Sequence, residues 1–84
     1  MNSTNSTCDI YFTIRENNGP EVCFLMRKNQ KLRVAFTAYH ERNCENIHMD
    51  SLSFTTEGGI LLDPELTPND YNFQQDAKLY VIYN

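Results

Sequence analysis

The stretch DIYFTIRENNGPEVCFLMR, residues 9–27, decides the fold of this 84-residue chain. Its first part places Ile10, Phe12 and Ile14 at every second position, which is typical of a strand with one buried face. A second alternating run occupies residues 22–27, and the Asn-Asn-Gly-Pro between the two runs is a strong turn signal. The stretch therefore predicts a β-hairpin with a loop of about four residues.

The hydrophobic period then changes from two residues to that of a helix, over residues 30–43. The apolar positions that follow this spacing are Leu32, Ala35, Phe36 and Tyr39. Asn29 is the predicted N-cap and Asn43 the predicted C-terminal stop. Lys31 and Arg33 fall in the first turn, where a positive charge opposes the helix macrodipole and costs some tenths of a kcal/mol.

The rest of the chain predicts shorter elements. Strands are expected at residues 52–55 and 60–62, the entry to a single helical turn at 67–70, and a closing strand at 79–83. Hairpin, helix and three further strands predict an α+β fold of the β-grasp type, a mixed sheet with one helix packed across it. In that topology the first and last strands form a central parallel pair, and the second strand lies at an open edge.

Composition limits the classes of function. We expect one domain at residues 9–84 after a disordered, Asn/Ser/Thr-rich tail at 1–8, with no membrane segment. Three cysteines without an export signal indicate reduced thiols, and hence a nuclear or cytoplasmic protein. The net charge of −4 argues against nucleic acid as a direct partner, because phosphate binding needs a basic face.

Several short motifs occur in a recognisable order. They are Glu21-Val-Cys-Phe-Leu-Met-Arg27, Leu32, Tyr39-His-Glu-Arg42, Met49-Asp-Ser-Leu-Ser-Phe54, Glu57-Gly58, Thr67-Pro68 and Val81-Ile-Tyr83. In this order the chain resembles SUMO, a branch of the ubiquitin-like superfamily, over roughly residues 9–83. The most specific element is Met-x-Ser-Leu-x-Phe with Glu-Gly three residues later.

The resemblance implies a protein-binding module of the SUMO pathway and not an enzyme. In SUMO a hydrophobic motif of the partner adds as a strand to the second-strand edge, and its side chains enter the groove beside the helix. The matching groove positions here are Val22, Phe24, Met26, Arg27, Leu32, Ala35, Tyr39 and Arg42. The sequence departs from the family at Leu25 and Val34, where SUMO proteins usually carry lysine, and at Ala35, where they carry leucine.

The resemblance also implies a second surface, which binds the SUMO-conjugating enzyme. Its matching residues are Glu57, Gly58 and Asp76. A conjugated modifier of this family ends in Gly-Gly, and the sequence given ends at Tyr83-Asn84. Two interpretations stay open, a modifier whose tail follows Asn84 and a non-conjugated SUMO-like domain.

Another class of function is suggested by the distribution of charge. Up to Arg42 the chain has six basic and four acidic residues, and after it seven acidic residues and a single lysine. Such a split is expected of a scaffolding domain of the Phox/Bem type, which polymerises head to tail through unlike faces. We otherwise expect a monomer that needs no cofactor or metal.

Catalytic and metal chemistry receives little support from the sequence. His40, Cys44 and His48 are spaced by four and would align as zinc ligands on one continuous helix. The predicted helix ends near Asn43, so that alignment is lost. Cys44 beside His40 also lacks a visible orienting carboxylate or oxyanion donor.

Overall fold

Four strands and one α-helix form the part of the chain that the structure describes, residues 9–84 of a computed structural model. The predicted tail, residues 1–8, lies outside the described residues. In chain order the elements are β1 (Asp9–Arg15), β2 (Val22–Arg27), α1 (Arg33–Asn43), a 3-10 helix at Met49–Ser51, β3 (Leu52–Thr56) and β4 (Ala77–Tyr83). Within this range no helix is both long and apolar enough to cross a bilayer.

The strands form one mixed sheet in the order β2-β1-β4-β3. β1 pairs antiparallel with β2 and parallel with β4, and β3 pairs antiparallel with β4. The fold is therefore α+β with the strand order of a β-grasp. The predicted central parallel pair and the edge position of β2 are confirmed.

One face of the sheet and one face of α1 form the core. Ile10, Phe12 and Ile14 of β1 are at most 1% exposed, as the alternation predicted. The rings of Phe36 on α1 and Phe54 on β3 stack in parallel with their centroids 4.0 Å apart. Burial of each such side chain contributes about 1.5–3 kcal/mol, so this layer fixes the helix across the sheet.

The start of α1 differs from the prediction. The helix begins at Arg33 after Leu32, which makes no side-chain capping bond, and Asn29 is not the N-cap. The backbone N–H of Leu32 donates to the Leu66 carbonyl at 2.8 Å, and that of Arg33 donates to the Pro64 carbonyl at 2.9 Å. A distant loop thus satisfies the first N–H groups of the helix, and no local capping residue is needed. The predicted end at Asn43 is confirmed.

The predicted strand at residues 60–62 is wrong. This segment returns alongside β3 but makes only one bridge, between Thr55 and Leu61. The N–H of the next residue, Asp63, donates to the Tyr71 hydroxyl at 2.8 Å, so the chain leaves the sheet there.

Residues 67–70 form the entry to a single turn, as predicted: the Thr67 carbonyl accepts the N–H groups of Asp70 and Tyr71 at 3.1 and 3.4 Å, and the side chains of Thr67 and Asp70 accept each other's backbone N–H. Two smaller differences concern other segments. β4 begins at Ala77, two residues before the predicted start at residue 79, because Ala77 already pairs with Phe12. The hairpin loop spans residues 16–21 and is longer than predicted, since Ile14 opposite Val22 is the last pair of the ladder.

Candidate partner-binding edge

The outer edge of β2 carries free backbone groups. The Tyr11 carbonyl accepts the Asp76 N–H at 2.7 Å, so the backbone groups of Tyr11 face β4. Successive residues of a strand direct their backbone N–H and C=O groups to opposite sides, so those of Ile10, Phe12 and Ile14 face β2. Their partners on β2 are Met26, Phe24 and Val22, which consequently face inward. The N–H and C=O groups of Cys23, Leu25 and Arg27 are left pointing away from the sheet.

The Arg27 end of this edge is closed by Gln30. The side-chain oxygen Oε1 of Gln30 accepts the Arg27 N–H at 2.9 Å, and the Gln30 N–H donates to the Arg27 carbonyl at 3.2 Å. Among the described residues, the outward groups of Cys23 and Leu25 have no hydrogen-bond partner. The open edge thus consists of the two N–H and two C=O groups of Cys23 and Leu25.

The opposite edge of the sheet is covered. The Leu62 N–H donates to the Phe54 carbonyl at 2.8 Å, and the Thr56 N–H donates to the Ile60 carbonyl at 3.0 Å. Residues 60–62 therefore protect β3 although they do not form a regular strand. Of the two edges, β2 is the one that offers hydrogen bonds to an added strand.

The predicted groove residues separate into a buried and an exposed set. Met26, Leu32, Ala35 and Tyr39 are at most 7% exposed and belong to the core. Val22 and Phe24 are half-buried and pack against that core, so part of their surface is exposed on the helix-facing side of β2. The buried side chains offer little surface for a contact.

The exposed set consists of the two arginines. Arg27 at the end of β2 and Arg42 near the end of α1 are both exposed. Leu25 and Val34, the positions where the sequence departs from the SUMO pattern, are 69% and 53% exposed. Alternation along β2 places the Leu25 and Arg27 side chains on the face of the sheet opposite α1, so Arg27 does not lie on the helix-facing side as predicted. Arg42 and Val34 lie on α1 itself.

The second predicted surface lies at one end of the sheet. Glu57 and Gly58 form the exposed turn after β3, and Asp76 immediately precedes β4. Thr56, the last residue of β3, pairs antiparallel with Leu79, so the end of β3 and the start of β4 lie at the same end of the sheet. All three residues therefore lie at the same end of the sheet, as a surface of the predicted kind requires.

The positive charges at the start of α1 are compensated by an acidic residue that is remote in sequence. Glu65 forms ion pairs with Lys31, at 3.0 Å, and with Arg33. Its carboxylate thus lies beside the helix N-terminus, where negative charge is favourable. Part of the charge split seen along the sequence is therefore mixed in the folded chain.

The Cys44 and His40 side chains have structural positions. Cys44 is 6% exposed, and burial raises the pKa of its thiol, which disfavours the nucleophilic thiolate. His40 uses Nε2 to donate to the Ile47 carbonyl at 2.6 Å. In residues 9–84 no group of three or more His, Cys, Asp or Glu side chains is placed to hold a metal ion.

A cavity that the sequence patterns did not predict lies between the β1–β2 loop and the turn after β3. Its volume is about 760 Å³, and its lining includes Asn17, Thr56, Glu57, Tyr80, Ile82 and Tyr83. The Tyr83 hydroxyl donates to Glu16 Oε2 at 2.5 Å, and this bond raises the Tyr83 pKa. The sequence feature that could have indicated this cavity is Ile82, an apolar residue on the face of β4 opposite the core, whose side chain is 50% exposed.

Comparison of the sequence with known families and with curated proteins found no match to either. The likeness to SUMO consequently depends on the ordered motifs and stays a prediction.

Proposed function

We propose that this chain is a SUMO-like protein-interaction module that binds an extended segment of a partner as an added strand on β2. The observation that supports the proposal is the pair of residues Cys23 and Leu25, whose outward backbone groups lack partners among the described residues. Strand addition uses such groups for affinity and an adjacent side-chain groove for register. The half-buried side chains of Val22 and Phe24, on the helix-facing side of β2, are suited to setting the register.

The side chains around the edge define the chemistry of the partner. A partner strand would place apolar residues against the half-buried surfaces of Val22 and Phe24. Arg27 and Arg42 favour an acidic residue near the ends of that strand. Leu25 and Val34 carry no charge, so we propose that apolar residues of the partner count for more here than a long acidic flank.

We further propose that the SUMO-conjugating enzyme binds a second, acidic surface of the chain. Glu57 and Gly58 follow β3, which two strands separate from β2, and Asp76 precedes β4, which one strand separates from β2. Acidic groups there are suited to a basic surface on the enzyme. A domain with both surfaces would act in sumoylation, in the nucleus or cytoplasm, by non-covalent contacts.

Nuclear magnetic resonance titration of the isotope-labelled chain tests both parts. A hydrophobic SUMO-interacting peptide should shift amide signals of Val22–Arg27 and Arg33–Asn43, whereas the conjugating enzyme should shift those of Glu57, Gly58 and Asp76. A peptide of the same composition in scrambled order is the control. Shifts from neither ligand at either surface would refute the proposal.

The alternative is a Phox/Bem-type scaffolding domain that associates head to tail. The charge split of the sequence motivates it, although Glu65 already neutralises part of the basic half at Lys31 and Arg33. It predicts oligomers that grow with protein concentration and dissociate in high salt, since salt screens exposed charges. Sedimentation velocity at low and high salt distinguishes this alternative from strand addition.

A further inference from the structure

The charges along the β2 edge are complementary to those of an identical strand that runs in the opposite direction. Glu21 immediately precedes the strand, Arg27 ends it, and the five residues between them carry no charge. An antiparallel partner suited to this edge needs a basic residue opposite Glu21 and an acidic residue opposite Arg27. A second copy of the same strand meets both requirements when Phe24 lies opposite Phe24 of the other copy.

We propose that two copies of this chain pair through their β2 edges in antiparallel orientation, about a two-fold axis at Phe24. The inference deepens the proposed function, because it names an occupant of the same edge, and its regulatory consequence rests on that function. A symmetric contact of this kind closes on itself at two copies. The result is a continuous eight-stranded sheet with both helices on one face.

The free backbone groups match this register. Cys23 of each copy lies opposite Leu25 of the other, and both residues present their N–H and C=O groups outward. Each opposing pair exchanges two hydrogen bonds, so the dimer uses all four free groups of each edge. Gln30 occupies the Arg27 backbone groups and ends the ladder at that point.

The side chains match on both faces of the joined sheet. On the helix side, Phe24 lies opposite Phe24 of the other copy, and Val22 lies opposite Met26 of the other copy. These contacts cover the half-buried apolar surface of Val22 and Phe24. On the other side, exposed Leu25 lies opposite Cys23. Beyond the last hydrogen-bonded pair, where Gln30 occupies the Arg27 backbone, the Glu21 side chain of each copy approaches the Arg27 side chain of the other. Glu21 also contacts Lys78 at 3.5 Å, an exposed pair that leaves its carboxylate open to a second cation.

Edge strands commonly avoid such pairing by placing a charge at mid-strand. This edge has Leu25 there, 69% exposed, so no like charge separates the two copies. Self-pairing and partner binding use the same backbone groups and exclude each other. Dimerisation would therefore limit access of a partner segment at high local concentration.

Charge reversal of the full chain, followed by sedimentation velocity under reducing conditions, tests the dimer. The wild-type chain should pass from monomer to dimer as concentration rises, with no larger species. Glu21→Arg or Arg27→Glu alone should raise the dimer dissociation constant about tenfold or more, since each places like charges opposite each other twice. The double variant should restore the dimer dissociation constant to within about threefold of the wild-type value, since both charge pairs are re-formed with their signs exchanged.

Glu45→Arg changes an exposed charge outside β2 and outside both proposed surfaces, and it is the matched control, for which we expect no effect. Glu21→Gln is a milder variant that should weaken the dimer without repulsion, should a reversal perturb the fold. A wild-type chain that stays monomeric, a double variant that stays as weak as the single ones, or oligomers that grow beyond two copies would each overturn the proposal.

Peptide titration separates this inference from the proposed function. Peptide binding by a chain that never dimerises would overturn self-pairing and leave the proposed function standing. A dimer that no peptide binds or dissociates would support self-pairing and overturn the proposed SUMO-type interaction. If both hold, the hydrophobic peptide should shift the equilibrium from dimer to monomer.

Discussion

The side-chain oxygen of Gln30 accepts the backbone N–H of Arg27 at 2.9 Å and so ends the free edge of β2. The bond joins a residue of the loop before α1 to the last residue of the strand. It fixes the length over which a partner strand can pair, because the groups beyond Leu25 are already occupied.

This relationship predicts a specific pattern of amide hydrogen exchange. At low concentration, where the edge is unoccupied, the Arg27 amide should exchange more slowly than those of Cys23 and Leu25, which face solvent. In Gln30→Ala the Arg27 amide should exchange as fast as the other two. Protection of Phe24, whose groups face β1, is the internal control and should stay unchanged. Equal protection of Cys23 and Phe24 in the wild-type monomer would contradict the open edge.

Substitution at Leu25 separates the roles of the backbone and the side chain. Leu25→Pro removes an outward N–H, and proline is tolerated on an edge strand where the N–H faces solvent. We expect this variant to fold but to lose peptide binding measured by calorimetry. The matched variant Leu25→Ser keeps the N–H and removes the exposed side chain, and it should bind within about fivefold of wild type. Equal binding by the proline and serine variants would argue against strand addition.

Glu65 should stabilise the fold through the N-terminus of α1. Glu65→Gln should lower the free energy of unfolding by about 0.5–1 kcal/mol at low salt, because the pairs with Lys31 and Arg33 are largely solvent-exposed. In 1 M salt the difference should shrink, as the screening length falls to about 3 Å. Glu57→Gln is the control for general charge effects. Urea unfolding measures both, and an equal effect of the two substitutions would refute a specific role for Glu65.

Tyr39 should make stability depend on alkaline pH. Its ring is buried, and burial raises its pKa to about 12, whereas tyrosine in the unfolded chain titrates near 10. Between about pH 10 and pH 12 the folded state therefore keeps a proton that the unfolded state has lost. The contribution of the protonated Tyr39 hydroxyl to the free energy of unfolding is complete below about pH 10 and declines as the pH rises to about 12.

The test compares slopes and not absolute stabilities. Between about pH 10 and 12 the free energy of unfolding of Tyr39→Phe should fall less steeply than that of wild type, by at most about 1.4 kcal/mol per pH unit. Chemical denaturation at several pH values gives both slopes. Identical slopes would show that Tyr39 does not titrate with a raised pKa.

The sequence by itself determined the elements with a clear hydrophobic period. Ile10, Phe12 and Ile14 alternate because one face of β1 is buried, and the helical spacing from Leu32 to Tyr39 exists because one stripe of α1 packs on the sheet. These patterns predicted the hairpin, the helix and its end at Asn43, and hence the α+β arrangement with β2 at an edge.

Only the tertiary structure decided how backbone groups without local partners are satisfied. The start of α1 depends on carbonyls of Pro64 and Leu66, which are far from it in sequence, so no local capping signal could reveal it. Likewise, Gln30 sets the limit of the open edge through a bond to Arg27, and periodicity carries no information about such a bond. Hydrophobic burial leaves a repeating trace in a sequence, whereas a hydrogen bond between distant segments leaves none.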